Sequence, residues 1–123
     1  RQGRPYMAFG TPGGDTQDQT TLQFFLNYEI FGMNIQEAID APTAYSSHFP
    51  SSFYPRASHP GHMTAEGRIP SDVIAELRRR GHEVDMTGDW ATGKVMGIRY
   101  DEEKGVICGG VSPRRSVGYA IGW

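Results

Sequence analysis

The chain has 123 residues, 37% of them hydrophobic and 11% aromatic, with a formal net charge of −2. That is enough for one core and too patterned for a disordered segment; the balance of charge argues against nucleic-acid binding, so Arg78-Arg79-Arg80 and Arg114-Arg115 read as solvated faces. One cysteine, Cys108, excludes an internal disulfide and a cysteine metal cluster, and no apolar run reaches the roughly 18 residues of a membrane helix.

Arg1-Gln2-Gly3-Arg4-Pro5 reads as a polar turn with neither an initiator methionine nor a signal-peptide pattern, so the chain is expected to belong to something longer. Tyr6 to Phe9 then reads as a short strand. The stretch Gly10-Thr11-Pro12-Gly13-Gly14-Asp15-Thr16 follows as a tight turn, with Asp15 or Thr16 as the helix N-cap. Glycines at a strand-to-helix junction let bare N–H groups approach a bound atom, and the first N–H groups of a helix lack intrahelical partners. The turn is therefore a cradle for a phosphate, a carboxylate or the oxyanion of an acyl-transfer intermediate.

From Gln17 to Phe31 the spacing predicts a helix, with Leu22, Phe25, Leu26 and Ile30 on one core-facing stripe widened by Phe24, Tyr28 and Phe31. Gly32 stops it. Asn34 and Glu37 have capping-box spacing for a short second helix that Pro42 ends near Asp40 or Ala41. Thr43 to Gly61 is rich in Ser, Pro and aromatics and reads as an ordered loop with short extended pieces. His48, His59 and His62 lie there or at its end, but their spacing matches no metal motif and no carboxylate cluster sits beside them. No metal or cofactor is expected.

His62 to Gly67 reads as a strand, and Pro70-Ser71-Asp72 opens a third helix with Val73, Ile74 and Leu77 on its apolar face. Arg78 to Arg80 complement its C-terminal dipole, and Gly81 ends it. His82 to Met86 alternates as a strand. Lys94 to Tyr100 and Val106 to Cys108 read as a hairpin around Asp101 to Gly105. Cys108 reads as a buried small hydrophobe, and Arg114 as an anchor for the glycine-rich tail. The order β–α–α–loop–β–α–β–β–β predicts an α+β fold, helices on a mostly antiparallel sheet, with few strands for a closed unit.

Several of these segments together resemble one family. Gly10-Thr11-Pro12-Gly13-Gly14-Asp15, then Phe31-Gly32-Met33-Asn34-Ile35 leading to Glu37-Ala38-Ile39-Asp40-Ala41-Pro42, resembles the γ-glutamyltransferase (γ-glutamyltranspeptidase) family. Leu77 with Arg80-Gly81-His82-Glu83-Val84, Pro113-Arg114, and Gly118-Tyr119-Ala120-Ile121-Gly122-Trp123 agree with it. The resemblance covers essentially all of residues 1–123 as a single segment, the C-terminal portion of the small subunit. It implies an N-terminal-nucleophile hydrolase αββα sandwich and a threonine nucleophile that forms a γ-glutamyl acyl-enzyme and passes the acyl group to water, an amino acid or a peptide.

It also implies that Gly13 and Gly14 form the oxyanion hole. The nucleophile threonine, the serine pair and the acidic residue that hold the substrate's α-carboxylate and α-amino groups are expected upstream of Arg1. Asp15 stands where many members carry Ser or Thr; it is a candidate substrate contact and a sign of another amide substrate. Tyr45 and His48 are candidates to approach the cleft. The expected partners are the large subunit, the rest of the small subunit and a γ-glutamyl-type substrate. Two other readings stay open: a small-anion-binding module, and a noncatalytic fragment that self-associates through its uncovered strand edge and helix flank.

Overall fold

In a computed structural model, residues 3–114 and 118–121 are described. Arg1-Gln2 of the first turn, Arg115 of the second basic run and Gly122-Trp123 of the closing motif lie outside them. The elements are β1 (Met7–Gly10), α1 (Gln17–Glu29), α2 (Ile35–Asp40), β2 (Ala44–Ser46), β3 (His62–Glu66), α3 (Ser71–Arg79), β4 (Glu83–Thr87), β5 (Met96–Asp101) and β6 (Val106–Val111).

The strands form two three-stranded sheets rather than one, in the orders β1-β5-β6 and β2-β3-β4. The first is antiparallel throughout, with Phe9 opposite Gly97 and Gly97 opposite Gly110. In the second, β2 and β3 are antiparallel, while β3 and β4 run parallel because α3 carries the chain between them. The antiparallel bias read from the hairpin is correct, and the parallel pair comes from a β–α–β crossover the sequence reading did not recognise.

Each sheet has its own core. Phe24, Ile35, Ala38, Ile39 and Val95 are buried against the first, with Met7, Tyr28, Met33 and Cys108 packed around them. Ala65, Ile74 and Val84 are buried in the second, with Ala44, Met63, Ile69 and Leu77 beside them. Cys108 is thus a partly buried apolar group. Glycine lets α2 approach the first sheet: a Cβ on Gly110 would lie 2.8 Å from Ile39 Cδ1. Asn34 caps α2 through the reciprocal pair expected, accepting from the Glu37 N–H at 2.9 Å while Glu37 accepts from the Asn34 N–H at 2.8 Å.

Glutamine amides join the two sheets. Gln23 donates to the Ala44 carbonyl at 2.7 Å and accepts from its N–H at 3.1 Å. One turn earlier, Gln19 does the same with Ser46, at 2.9 and 2.8 Å. The i,i+4 spacing of a helix thus meets the i,i+2 spacing of a strand edge, so α1 stands in for a missing strand beside β2. Gln36 of α2 treats the β6 edge in the same way, bonding both the carbonyl and the N–H of Val111.

This orientation corrects the predicted α1 face. Thr20 and Phe24 are its buried residues. The stripe of Leu22, Phe25, Leu26 and Ile30 points outward, with Leu22 56% and Ile30 68% exposed. The glutamines fix the rotation, because they need the β2 edge and leave the apolar stripe on the far side. The first sheet is similarly bare on the face away from the helices, where Ile98 is 52% and Ile107 72% exposed. Among the described residues, only those at 118–121 run over it. A Cβ on Gly118 would lie 2.5 Å from Val111 Cγ2, which is why glycine opens the closing motif.

Candidate active site: a glycine turn under a pinned loop

The Gly13-Gly14 turn sits between the end of β1 and the start of α1. Gly13 has φ +144°, a conformation that side chains with a Cβ rarely adopt. Gly14 is constrained by space: a Cβ there would be 2.7 Å from Phe53 Cε2. The turn is closed by the Gln17 N–H donating to the Gly14 carbonyl at 3.0 Å, and the Gln17 side-chain amide donates back to the Thr11 carbonyl at 2.9 Å. Thr16 occupies the N-cap position but its side chain makes no capping bond. The predicted cap by Asp15 or Thr16 does not form, because Asp15 bonds to the loop instead.

Ser51 Oγ donates to Asp15 Oδ2 at 2.6 Å, the Ser52 N–H donates to the same oxygen at 3.0 Å, and Ser52 Oγ donates to Oδ1. The Ser51 and Ser52 hydroxyls, with the Ser52 N–H, hold the Asp15 carboxyl below the usual carboxylate range. Asp15 thus remains ionised well into the acid range. The loop from 47 to 61 is pinned at its root as well. The Ser47 N–H donates to the His62 carbonyl at 3.2 Å, and the His59 N–H to the Ser47 carbonyl at 3.0 Å.

Ser47 Oγ and His62 Nδ1 are 2.8 Å apart, and His62 Nε2 lies 2.9 Å from Asp85 Oδ2. Serine, histidine and aspartate in line resemble a nucleophile relay. Here they act as a fastening. Asp85 is largely in water, and the Ser47 N–H is already spent on His62, so it is not free to stabilise an oxyanion at Ser47. His48 Nδ1 accepts from the Gly61 N–H at 3.1 Å, which also serves the loop. The His48 and His62 rings thus fasten the loop, whereas His59 fastens it only through its backbone N–H. Among the described residues, no group of three or more His, Cys, Asp or Glu could hold a metal ion.

Between turn and loop lies an open cleft of about 660 Å³, whose lining includes Gly14, Asp15, Tyr45, Ser47, Phe49 and His59. Tyr45 reaches it as expected, whereas His48 does not line it. A smaller hollow of about 260 Å³ opens on the Gly13 side, against Thr16, Thr20 and Lys94.

Arg114 is buried rather than part of the solvated face read for Arg114-Arg115; it anchors the start of the tail, the other role the sequence suggested, and the structure supplies its carboxylate partner. Arg114 is fully buried and grips Glu66, also fully buried, with Nε 2.8 Å from Oε1 and Nη2 3.1 Å from Oε2. Its remaining donors cap the end of α2, on the carbonyls of Ile39 at 2.6 Å, Asp40 at 3.2 Å and Ala41 at 2.6 Å. Glu66 also accepts from Arg68 at 2.9 Å and from the N–H groups of Thr43 and Thr92, each at 3.2 Å. Burial alone would raise the Glu66 pKa; Arg114, together with those two N–H groups, outweighs burial and lowers it. Two guanidinium groups lie over the Trp90 ring, that of Arg68 3.4 Å and that of Arg114 5.2 Å from its centroid. The sequence marked Arg114 but gave no signal for Glu66, which reads there as an ordinary strand end.

Comparisons with known proteins bear on the family and the fold. The Gamma-glutamyltranspeptidase family profile matches residues 1–123. The solved structure of LmbA2991HD superposes with a TM-score of 0.93 at 45% identity, over 100% of this chain and 22% of that one. The Glutathione hydrolase-like YwrD proenzyme of Bacillus subtilis (strain 168) is 32% identical over 98% of this chain and 22% of its own length. The Oxamate amidohydrolase proenzyme of Klebsiella pneumoniae is 31% identical over 95% of this chain and 21% of its own. The α+β architecture is thus that of an N-terminal-nucleophile hydrolase. The chain belongs to the γ-glutamyltranspeptidase family, and it spans about a fifth of the length of the curated relatives it matches.

Proposed function

We propose that this chain is the C-terminal portion of the small subunit of a γ-glutamyltransferase-like enzyme, and that the Gly13 and Gly14 N–H groups form its oxyanion hole. The observation that carries this reading is the turn itself. Gly13 takes a backbone angle suited to glycine, Gly14 leaves no room for a side chain, and both precede a 13-residue helix.

In this reading an upstream threonine, at the N-terminus of its subunit, attacks the amide carbonyl through its hydroxyl oxygen while its own α-amino group takes the proton. The carbonyl oxygen becomes an oxyanion facing the glycine N–H groups. Collapse breaks the C–N bond, the amine leaves with that proton, and a threonyl ester remains. Water or an amino group then attacks the ester and regenerates the threonine.

Each N–H that meets the oxyanion contributes about 3 kcal/mol, or roughly a hundredfold in rate. Gly13→Pro in the full-length enzyme removes one donor and is expected to lower kcat about a hundredfold. Proline also cannot take φ +144°, so Gly13→Ala, strained but with its N–H intact, is the control. Amide hydrolysis by Gly13→Pro at the rate of Gly13→Ala would refute the oxyanion role.

The bare apolar stripe of α1 and the far face of the first sheet support an assembly in which the rest of the enzyme covers them. The phosphate reading loses support because Asp15 and Asp18 both line the larger cleft, where they would repel an anion. An amide other than γ-glutamyl gains support from Asp15, which the loop already occupies, and from the oxamate amidohydrolase relative.

A further inference from the structure

We propose that Asp15 is a positioning residue, clamping the tip of the 47–61 loop beside the oxyanion turn so that the loop walls the cleft and selects the acyl part of the substrate. This rests on the acyl-transfer reading above. Three donors from two adjacent residues converge on one carboxylate: Ser51 Oγ, the Ser52 N–H and Ser52 Oγ. An ionised carboxylate is an acceptor only, with enough lone pairs for all three, and it keeps its charge because those same donors lower its pKa.

The clamp has two consequences for the cleft. Phe53, the next residue, is brought onto Gly14, so close that any Cβ there would strike its ring. Phe49 and Pro50, just before the clamp, join Tyr45 in the cleft lining. The loop's own bonds leave this placement to Asp15. Its internal turns, Ser51 N–H to Ala57 carbonyl at 2.9 Å and Arg56 N–H to Phe53 carbonyl at 2.7 Å, shape the tip but do not tie it to α1. The root fastening at Ser47, His62 and Asp85 lies at the other end. Without Asp15 the tip has lost its three bonds to the turn, while the turn retains the bonds that shape it, from Gln17 to Gly14 and Thr11. Binding of a bulky acyl group should therefore suffer more than the chemical step.

The test uses the full-length enzyme and three p-nitroanilides of increasing acyl size: acetyl, γ-glutamyl and phenylacetyl. Asp15→Ala is expected to raise KM about tenfold for the phenylacetyl donor, less for γ-glutamyl and hardly for acetyl, with kcat changed less than about threefold. Asp15→Asn, which keeps one acceptor oxygen, should recover part of the loss. The double variant Ser51→Ala/Ser52→Ala removes two of the three bonds and keeps the Ser52 N–H, so it should reproduce most of the Asp15→Ala effect and add nothing when combined with it. Amide hydrogen exchange at residues 51–53 should rise about tenfold in Asp15→Ala, whatever the activity.

Unchanged exchange at 51–53 would overturn the clamp. Faster exchange with a loss that is uniform across the three donors, or confined to kcat, would overturn the selective role. If the wild-type enzyme cleaved none of the anilides, the selective role would fall; if it also left oxamate intact, the acyl-transfer reading would fall with it, while exchange would still decide the clamp.

Discussion

Replacing Arg114 by Met keeps most of the apolar stem and removes the guanidinium. Five bonds disappear: two to Glu66 and one each to the carbonyls of Ile39, Asp40 and Ala41. Breaking a buried ion pair by deleting one partner costs about 3–5 kcal/mol, because the other charge is left behind. Glu66 is not wholly abandoned, since Arg68 and two backbone N–H groups remain. The expected loss is therefore near the lower end, about 3 kcal/mol, a large share of the roughly 5–15 kcal/mol that stabilises a domain. The assay is the denaturant midpoint of the full-length protein.

The acid limb gives a second check. Glu66 is more acidic when folded, so it contributes stability that is fully present above its unfolded value of 4.5 and is lost as pH falls through its lower folded value. Glu66→Gln should flatten that limb. Arg114→Met should weaken the same dependence, since Arg114 is the chief group lowering the Glu66 pKa. An Arg114→Met protein within about 1 kcal/mol of wild type at neutral pH would show that the buried pair does not hold the tail, and would refute the reasoning.

Gly14→Ala places a Cβ 2.7 Å from the Phe53 ring, so it should cost about 1–3 kcal/mol, and Phe53→Ala in the same protein should recover most of that in thermal unfolding. No recovery would mean that the turn resists Gly14→Ala for another reason. Gln23→Leu leaves the N–H and carbonyl of Ala44 without partners at a half-buried edge, an expected loss of about 2 kcal/mol with faster amide exchange at Ala44. An Ala44 amide as protected as in wild type would show that α1 does not substitute for a strand there.

Local rules in the sequence were sufficient for most elements. The Asn34–Glu37 box, Gly32 and Gly81 after their helices, and Gly105 in the hairpin all act on near neighbours, and the structure keeps them: Gly32, Gly81 and Gly105 have φ of +71°, +95° and +64°. The Gly13-Gly14 turn was legible for the same reason, since a strand, a tight turn and a helix are consecutive in the chain. Orientation was not legible. Periodicity gives α1 an apolar stripe but cannot say what the stripe meets; the buried side was decided by Gln19 and Gln23, polar residues whose meaning depends on a strand edge more than 20 residues away. The family resemblance named the glycines, yet the partners of Asp15 and Arg114 come from 36–37 and 48 positions off. What the sequence by itself determined is the set of elements, the turn and the family, because these rest on short-range conformational preference and recognisable order. Tertiary structure alone decided that Asp15 turns to the loop and that Glu66 accepts Arg114. A carboxylate's role depends on the donors that folding brings around it.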